Sequence, residues 1–167
     1  MCLNPVLINP NQPNEMYVAC RQCAECRQQR AAEWSLRCSF EKKNHNDCMF
    51  VTLTYAKSPF FLVKSDLQKF IKRLRKFIAP TKIKYFACGE YGDTTFRPHF
   101  HIIIFGYKFD DLVPLGKSKR GNITYVSKKL SALWSFGYHT IQEVTPQAIS
   151  YIALYNVKSI KNGKLPP

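Results

Sequence analysis

Hydrophobic residues recur along this chain with two different periods, and the switches between them divide it into elements. Over 27–43 the spacing is helical, with Ala31, Trp34 and Cys38 on one face. "CMFVTLTY" (48–55) is β-branched and aromatic and reads as a buried strand. Ser65 followed three residues later by Gln68 has the form of a capping box, and Leu67, Phe70, Ile71, Leu74 and Phe77 continue at helical spacing. That helix keeps Lys69, Lys72, Arg73, Arg75 and Lys76 for its outer faces. "KIKYFACGEYG" (82–92) and "HFHIIIFG" (99–106) read as strands, and the short "DTTFRP" between them predicts an antiparallel hairpin with a loose tip. A basic, Gly-containing loop (116–122) precedes a short helix near 125–135 and a strand, "GYHTIQEV". Thr145 followed by Pro146 then opens a last helix, "QAISYIALYNVKS".

The resulting order is α, β, α, β, β, α, β, α, in which helices separate strands that must largely pair antiparallel. A ferredoxin-like α+β sandwich accommodates it, with one sheet face covered by helices and the other open for a site. Residues 1–19 hold prolines and asparagines with little periodicity and read as an irregular arm. The chain therefore divides into a Cys-containing arm (1–26), one globular unit (27–160) and a short tail (161–167).

Composition adds a partner. Lys and Arg total 25 against 11 Asp and Glu, a formal charge of +14, which favours a polyanion: nucleic acid first, an anionic membrane second. The basic segments 64–84 and 117–129 are the ones available to backbone phosphates, with Tyr and Phe side chains to stack unpaired bases. No apolar run is long enough to span a membrane and no secretory signal opens the chain, so it is expected to act in a cytoplasm. Seven cysteines in a reducing compartment imply metal ligation or burial rather than a disulfide framework. "CRQCAEC" places Cys20, Cys23 and Cys26 at a double CxxC spacing that suits a structural Zn²⁺, with Cys2 or Cys38 available as fourth ligand. The alternative is reduced thiols packed at a helix start.

Two further patterns carry chemistry. His99 and His101, two apart on a strand, project from one face while Phe100 points the other way. The pair alone also fits two surface histidines. Glu90, near the end of the preceding strand, can be brought beside them by the hairpin, giving a His2Glu set with open positions for Mn²⁺, Mg²⁺ or Zn²⁺. In the last helix Tyr151 and Tyr155 are four apart and stacked on one face, with Lys158 three further on. Such tyrosines are often plain core or rim aromatics, but a tyrosine hydroxyl beside a metal and a lysine is also a nucleophile for a phosphodiester.

"FVTLTY", "RPHFHIIIFG" and "YIALYNVKS", in that order, resemble motifs I, II and III of the HUH endonucleases that initiate rolling-circle replication. With "MCLNP" and "CRQCAECRQQRAAEW" the likeness extends to the initiators of small single-stranded DNA phages, the Microviridae, in particular the gokushovirus-like group. The resemblance implies a ferredoxin-like or RRM-like core with a central antiparallel sheet of about five strands. It implies metal ligation by His99 and His101, with Glu90 as the acidic third ligand, and catalysis by Tyr151 and Tyr155 with Lys158 as the following basic residue. It also implies site-specific nicking and joining of single-stranded origin DNA with Mn²⁺ or Mg²⁺, through a 5′-phosphotyrosine, beside host polymerase and helicase in the bacterial cytoplasm. Members of the family commonly continue beyond the tyrosine helix, so a truncated or short version is expected here. Two other readings remain open at this stage: a zinc hydrolase using the same His2Glu set, and a non-catalytic RRM-like module that stacks bases on an open sheet.

Overall fold

The computed structural model describes residues 1–92, 95–118 and 121–157. A short hairpin, β1 (Val6–Ile8) with β2 (Met16–Val18), precedes α1 (Ala24–Lys43). Then follow β3 (Cys48–Tyr55), α2 (Lys64–Phe77), β4 (Lys84–Tyr91), β5 (Pro98–Phe105), β6 (Val113–Lys117), β7 (Ile123–Val126), α3 (Lys128–Leu133), β8 (Gly137–Gln142) and α4 (Pro146–Val157). β3 to β8 form one antiparallel sheet of six strands in the order β4-β5-β3-β8-β7-β6, the expected α+β class with one strand more than the resemblance implied.

Alternation along the two central strands builds two cores. Met49, Val51, Leu53 and Tyr55 of β3 join Phe100, Ile102 and Ile104 of β5 against Phe70, Ile71 and Leu74 of α2 and Leu130, Leu133 and Trp134 at α3. The opposite parity, Phe50, Ile103 and Phe105, packs with Cys88 against Cys38 of α1 and Ile149 and Ile152 of α4. Ile102, Ile103 and Ile104 are all fully buried, each contributing about 1.5–3 kcal/mol. The expectation of an open second face is therefore corrected: α1 and α4 cover it. The signal lay in "HIIIF", which is apolar at both parities, as a strand buried on both faces must be.

Other departures are local. The arm is not irregular throughout, since it holds the β1–β2 hairpin, and α1 starts at Ala24, ahead of the expected Arg27. The capping box does not form: α2 begins at Lys64 after Val63, without a side-chain cap. Instead Asp66 is buried in the first turn and accepts the Tyr55 hydroxyl at 3.1 Å, so a tertiary contact and the helix dipole set the start. The segment read as a basic loop supplies β6, whose Pro114 and Gly116 are tolerated because it is an exposed edge strand. The short helix splits into β7 and α3, the boundary being Ser127, whose Oγ caps the Leu130 amide at 3.0 Å. The last helix starts at Pro146 as its signal says, with Thr145 Oγ1 accepting the Ala148 amide at 3.1 Å.

Candidate metal and tyrosine centre

The β4–β5 hairpin brings the acidic and imidazole groups together. Glu90 lies directly opposite His99 in the register, and Cys88 opposite His101, while Thr52 of β3 flanks His101 from the other side. At the hairpin's end the Gly92 amide donates to the Arg97 carbonyl at 3.0 Å and the Phe96 amide to the Gly92 carbonyl at 2.8 Å. Glu90 Oε2 stands 2.9 Å from His101 Nε2 and 3.6 Å from His99 Nε2. One ligand atom from each of the three residues falls within 4.8 Å of the others.

The outward nitrogens are oriented from behind. His99 Nδ1 lies 3.0 Å from the Arg97 carbonyl, which can only accept, so in the neutral ring Nδ1 carries the proton and Nε2 offers its lone pair to the site. His101 Nδ1 lies 3.0 Å from Thr52 Oγ1. Its Nε2, buried and close to the carboxylate, has no hydrogen-bond partner of good geometry among the described residues. Lone pairs converging on a carboxylate are satisfied by a cation, so this donor set fits a divalent metal.

α4 lays its tyrosines over the same spot. The Tyr151 hydroxyl donates to Glu90 at 2.8 Å to Oε2 and 3.0 Å to Oε1. Its ring meets His101 edge-on at 5.3 Å and Tyr155 at 4.7 Å between centroids. A cleft of about 250 Å³ reaches Tyr151 and His101 past Thr52, Gln142, Gln147 and Asn122. Lys158, the third residue of the expected tyrosine motif, lies outside the described residues.

A scan against protein-family models matches residues 48–160 to the replication-associated protein ORF2 family. The chain belongs to that family. It is 39% identical over 155 residues to the replication-associated protein ORF2 of Spiroplasma virus 4, covering 86% of this chain and 48% of that protein. It is 36% identical to the replication-associated protein ORF4 of Chlamydia phage 1 (86% of this chain, 39% of that protein) and 34% identical to replication-associated protein VP4 of Bdellovibrio phage phiMH2K (86% and 49%). All three come from Microviridae, the group the motifs pointed to. The chain spans about half the length, or less, of these curated relatives. No solved structure matches it.

In this family member the electrostatics of the centre follow from burial against hydrogen bonding. Burial alone would raise the Glu90 carboxyl, but His101, His99, Tyr155 and Tyr151 all favour its charged form and together hold it well below the usual range. Burial pushes His101 down, against the pull of Glu90. It pushes the Tyr151 hydroxyl up, as do Glu90 and Tyr155. The centre thus holds an ionised carboxylate, neutral imidazoles and a protonated tyrosine.

Reading the sequence missed three contributors. Thr52 and the Arg97 carbonyl orient the imidazoles, and the tip of the β6–β7 hairpin reaches the cleft through Asn122 and Ser118. Thr52 could have been found as the polar break in "FVTLT"; the register that sets it beside His101 could not. The basic residues of α2 lie across the sheet from the histidines, and Lys129 is engaged by Asp110, so neither is placed to meet a phosphate at the centre. Among the described residues no helix is long and apolar enough to cross a membrane.

Proposed function

We propose that this chain carries the DNA-cutting and joining unit of a phage replication initiator, acting on single-stranded DNA at an origin inside the bacterial host. The observation that carries the reading is the Tyr151 hydroxyl within hydrogen-bond reach of Glu90, itself the carboxylate of a His2Glu donor set. The replication-associated names of the relatives agree with it.

His99, His101 and Glu90 would hold a divalent cation, Mn²⁺ or Mg²⁺, which when bound supplies Lewis-acid polarisation of a phosphodiester oxygen. Glu90 orients the Tyr151 hydroxyl and α4 holds it against the imidazole edge. The tyrosine oxygen attacks phosphorus as the bond to the 3′ oxygen breaks; the hydroxyl's proton is lost and the departing 3′ oxygen gains one. The products are a 5′-phosphotyrosine and a free 3′-OH that can prime a host polymerase, with a helicase opening the duplex ahead. Phosphoryl transfer conserves the bond, so a 3′-OH can reseal the junction without ATP. Tyr155, stacked beside Tyr151, is the second nucleophile for the next round, and Lys158 is assigned the neutralisation of charge that builds on the phosphate. A base-stacking module on an open sheet is disfavoured because α1 and α4 cover that face.

The test is incubation with an origin oligonucleotide and Mn²⁺ followed by a denaturing gel and mass spectrometry. A protein–DNA adduct on Tyr151 or Tyr155 is expected. Cleavage without an adduct, undiminished in Y151F/Y155F, would instead establish water as nucleophile and a hydrolase.

A further inference from the structure

The four cysteines nearest the N-terminus converge well away from the tyrosine centre. Cys2, Cys20, Cys23 and Cys26 each bring Sγ within 4.8 Å of the other three, with Cys20 and Cys26 4.0 Å apart and Cys2 and Cys23 also 4.0 Å apart. Sulfurs at the corners of a tetrahedron around Zn²⁺, with bonds of about 2.3 Å, are separated by roughly 3.8 Å. Cys38, the other residue the spacing allowed as fourth ligand, is instead buried between α1 and α4 in the second core.

The surroundings favour thiolates. The Cys20 amide points at Cys2 Sγ at 3.2 Å and the Cys23 amide at Cys20 Sγ at 3.3 Å. Cys23 is the N-cap of α1 and Cys26 lies in its first turn, where the helix dipole stabilises negative charge. Backbone amides of Gln22 and Cys23 bring the Cys20 thiol down to about 6. Between these two cysteines Arg21 is held at φ 60°, a conformation a non-glycine residue keeps only where its neighbours fix it. Arg21, Arg30 and Arg37 line a cavity against Cys26, positive charge beside what would be a dianionic tetrathiolate.

We propose that Cys2, Cys20, Cys23 and Cys26 bind one Zn²⁺ as a closed tetrathiolate clamp that fixes the N-terminus and the β1–β2 hairpin to the start of α1. With four protein ligands and no open position it is structural, and α1 in turn packs beside α4, the helix that carries the tyrosines.

The experiment uses the whole chain, purified under reducing conditions without chelator. Elemental analysis should give one zinc per chain, and titrating the thiols with an organomercurial should release that zinc into a chromophoric chelator as four fast-reacting thiols are consumed. His99→Ala/His101→Ala should keep the zinc; Cys2→Ser and Cys23→Ser should lose at least nine-tenths of it; Cys48→Ser, outside the cluster, should keep it. Cobalt(II) exchanged into the wild-type protein should show the intense thiolate charge-transfer absorption of a tetrahedral site, a readout that needs no variant to fold. Zinc lost only with the histidines, a zinc-free protein that fails to take up zinc or cobalt, or two disulfides among these cysteines would each overturn the clamp. None of these results depends on whether Tyr151 cuts DNA.

Discussion

Thr52 shows how much of this centre depends on residues that do no chemistry of their own. Its hydroxyl, 3.0 Å from His101 Nδ1, fixes the ring so that Nε2 faces Glu90. Thr52→Val keeps the shape and removes that hold, so Mn²⁺ affinity should fall about 10- to 100-fold, read by titration calorimetry. An unchanged affinity would mean that packing alone orients the ring. For the tyrosines, Y151F/Y155F removes both nucleophiles and keeps both rings. It should fold and bind Mn²⁺ yet form no covalent adduct, while each single variant retains part of a first round; an adduct on the exposed Tyr138 of β8 would refute the assignment. The liganding residues could be picked out of the chain because strand and helix periods decide which side chains share a face. Their partners could not, because Thr52 is 49 positions from His101 and only strand pairing brings them together.

At the scale of elements, legibility follows the strength of the local signal. β3, β5 and α4 were readable because β-branched runs and a Thr-Pro start carry their own physics, whereas β6 was hidden by Pro114 and Gly116 and α2 took its start from Asp66 and Tyr55 rather than from Ser65. β8 contains a further requirement invisible in sequence: a Cβ at Gly137 would lie 2.3 Å from the Ala56 amide nitrogen and 2.5 Å from the Thr54 carbonyl. Backbone cannot yield there, so Gly137→Ala should cost on the order of 3 kcal/mol in urea unfolding. His139 of the same strand accepts the Ser127 amide at 3.0 Å on Nε2, which must therefore be unprotonated. Burial lowers its pKa, with Asp111 pulling the other way. The unfolded chain then takes up a proton near pH 6.5 that the folded one refuses, so this stabilisation is complete above about pH 6.5 and is lost as pH falls toward the lowered folded value. His139→Gln should flatten the stability profile between pH 7 and 5 relative to wild type; parallel profiles would show that His139 does not contribute.

For the molecule as a whole, the charge of +14 pointed to a polyanion but said nothing of where it would lie. Folding sorts the basic residues: Lys69, Lys72 and Lys76 of α2 are exposed on the side of the sheet away from the histidines, while Lys117 adjoins the hairpin tip that lines the cleft at Tyr151. If single-stranded DNA threads that cleft, its affinity should be set by the few phosphates held there. Neutralising about four phosphates on a single strand gives a slope of about −2.8 in log affinity against log salt, a loss of roughly fifty-fold between 50 and 200 mM. Lys117→Ala should lower the magnitude of that slope by about 0.7, one phosphate's worth, because it removes a cation from the path to the tyrosine. Replacing Lys69, Lys72 and Lys76 together should leave the slope nearly unchanged despite removing three times the charge. Fluorescence anisotropy with an origin-length oligonucleotide across this salt range separates the two. A slope that drops with the α2 substitutions and ignores Lys117 would place the DNA on the opposite face of the sheet, out of reach of Tyr151, and would count against the cleft as the path of the strand.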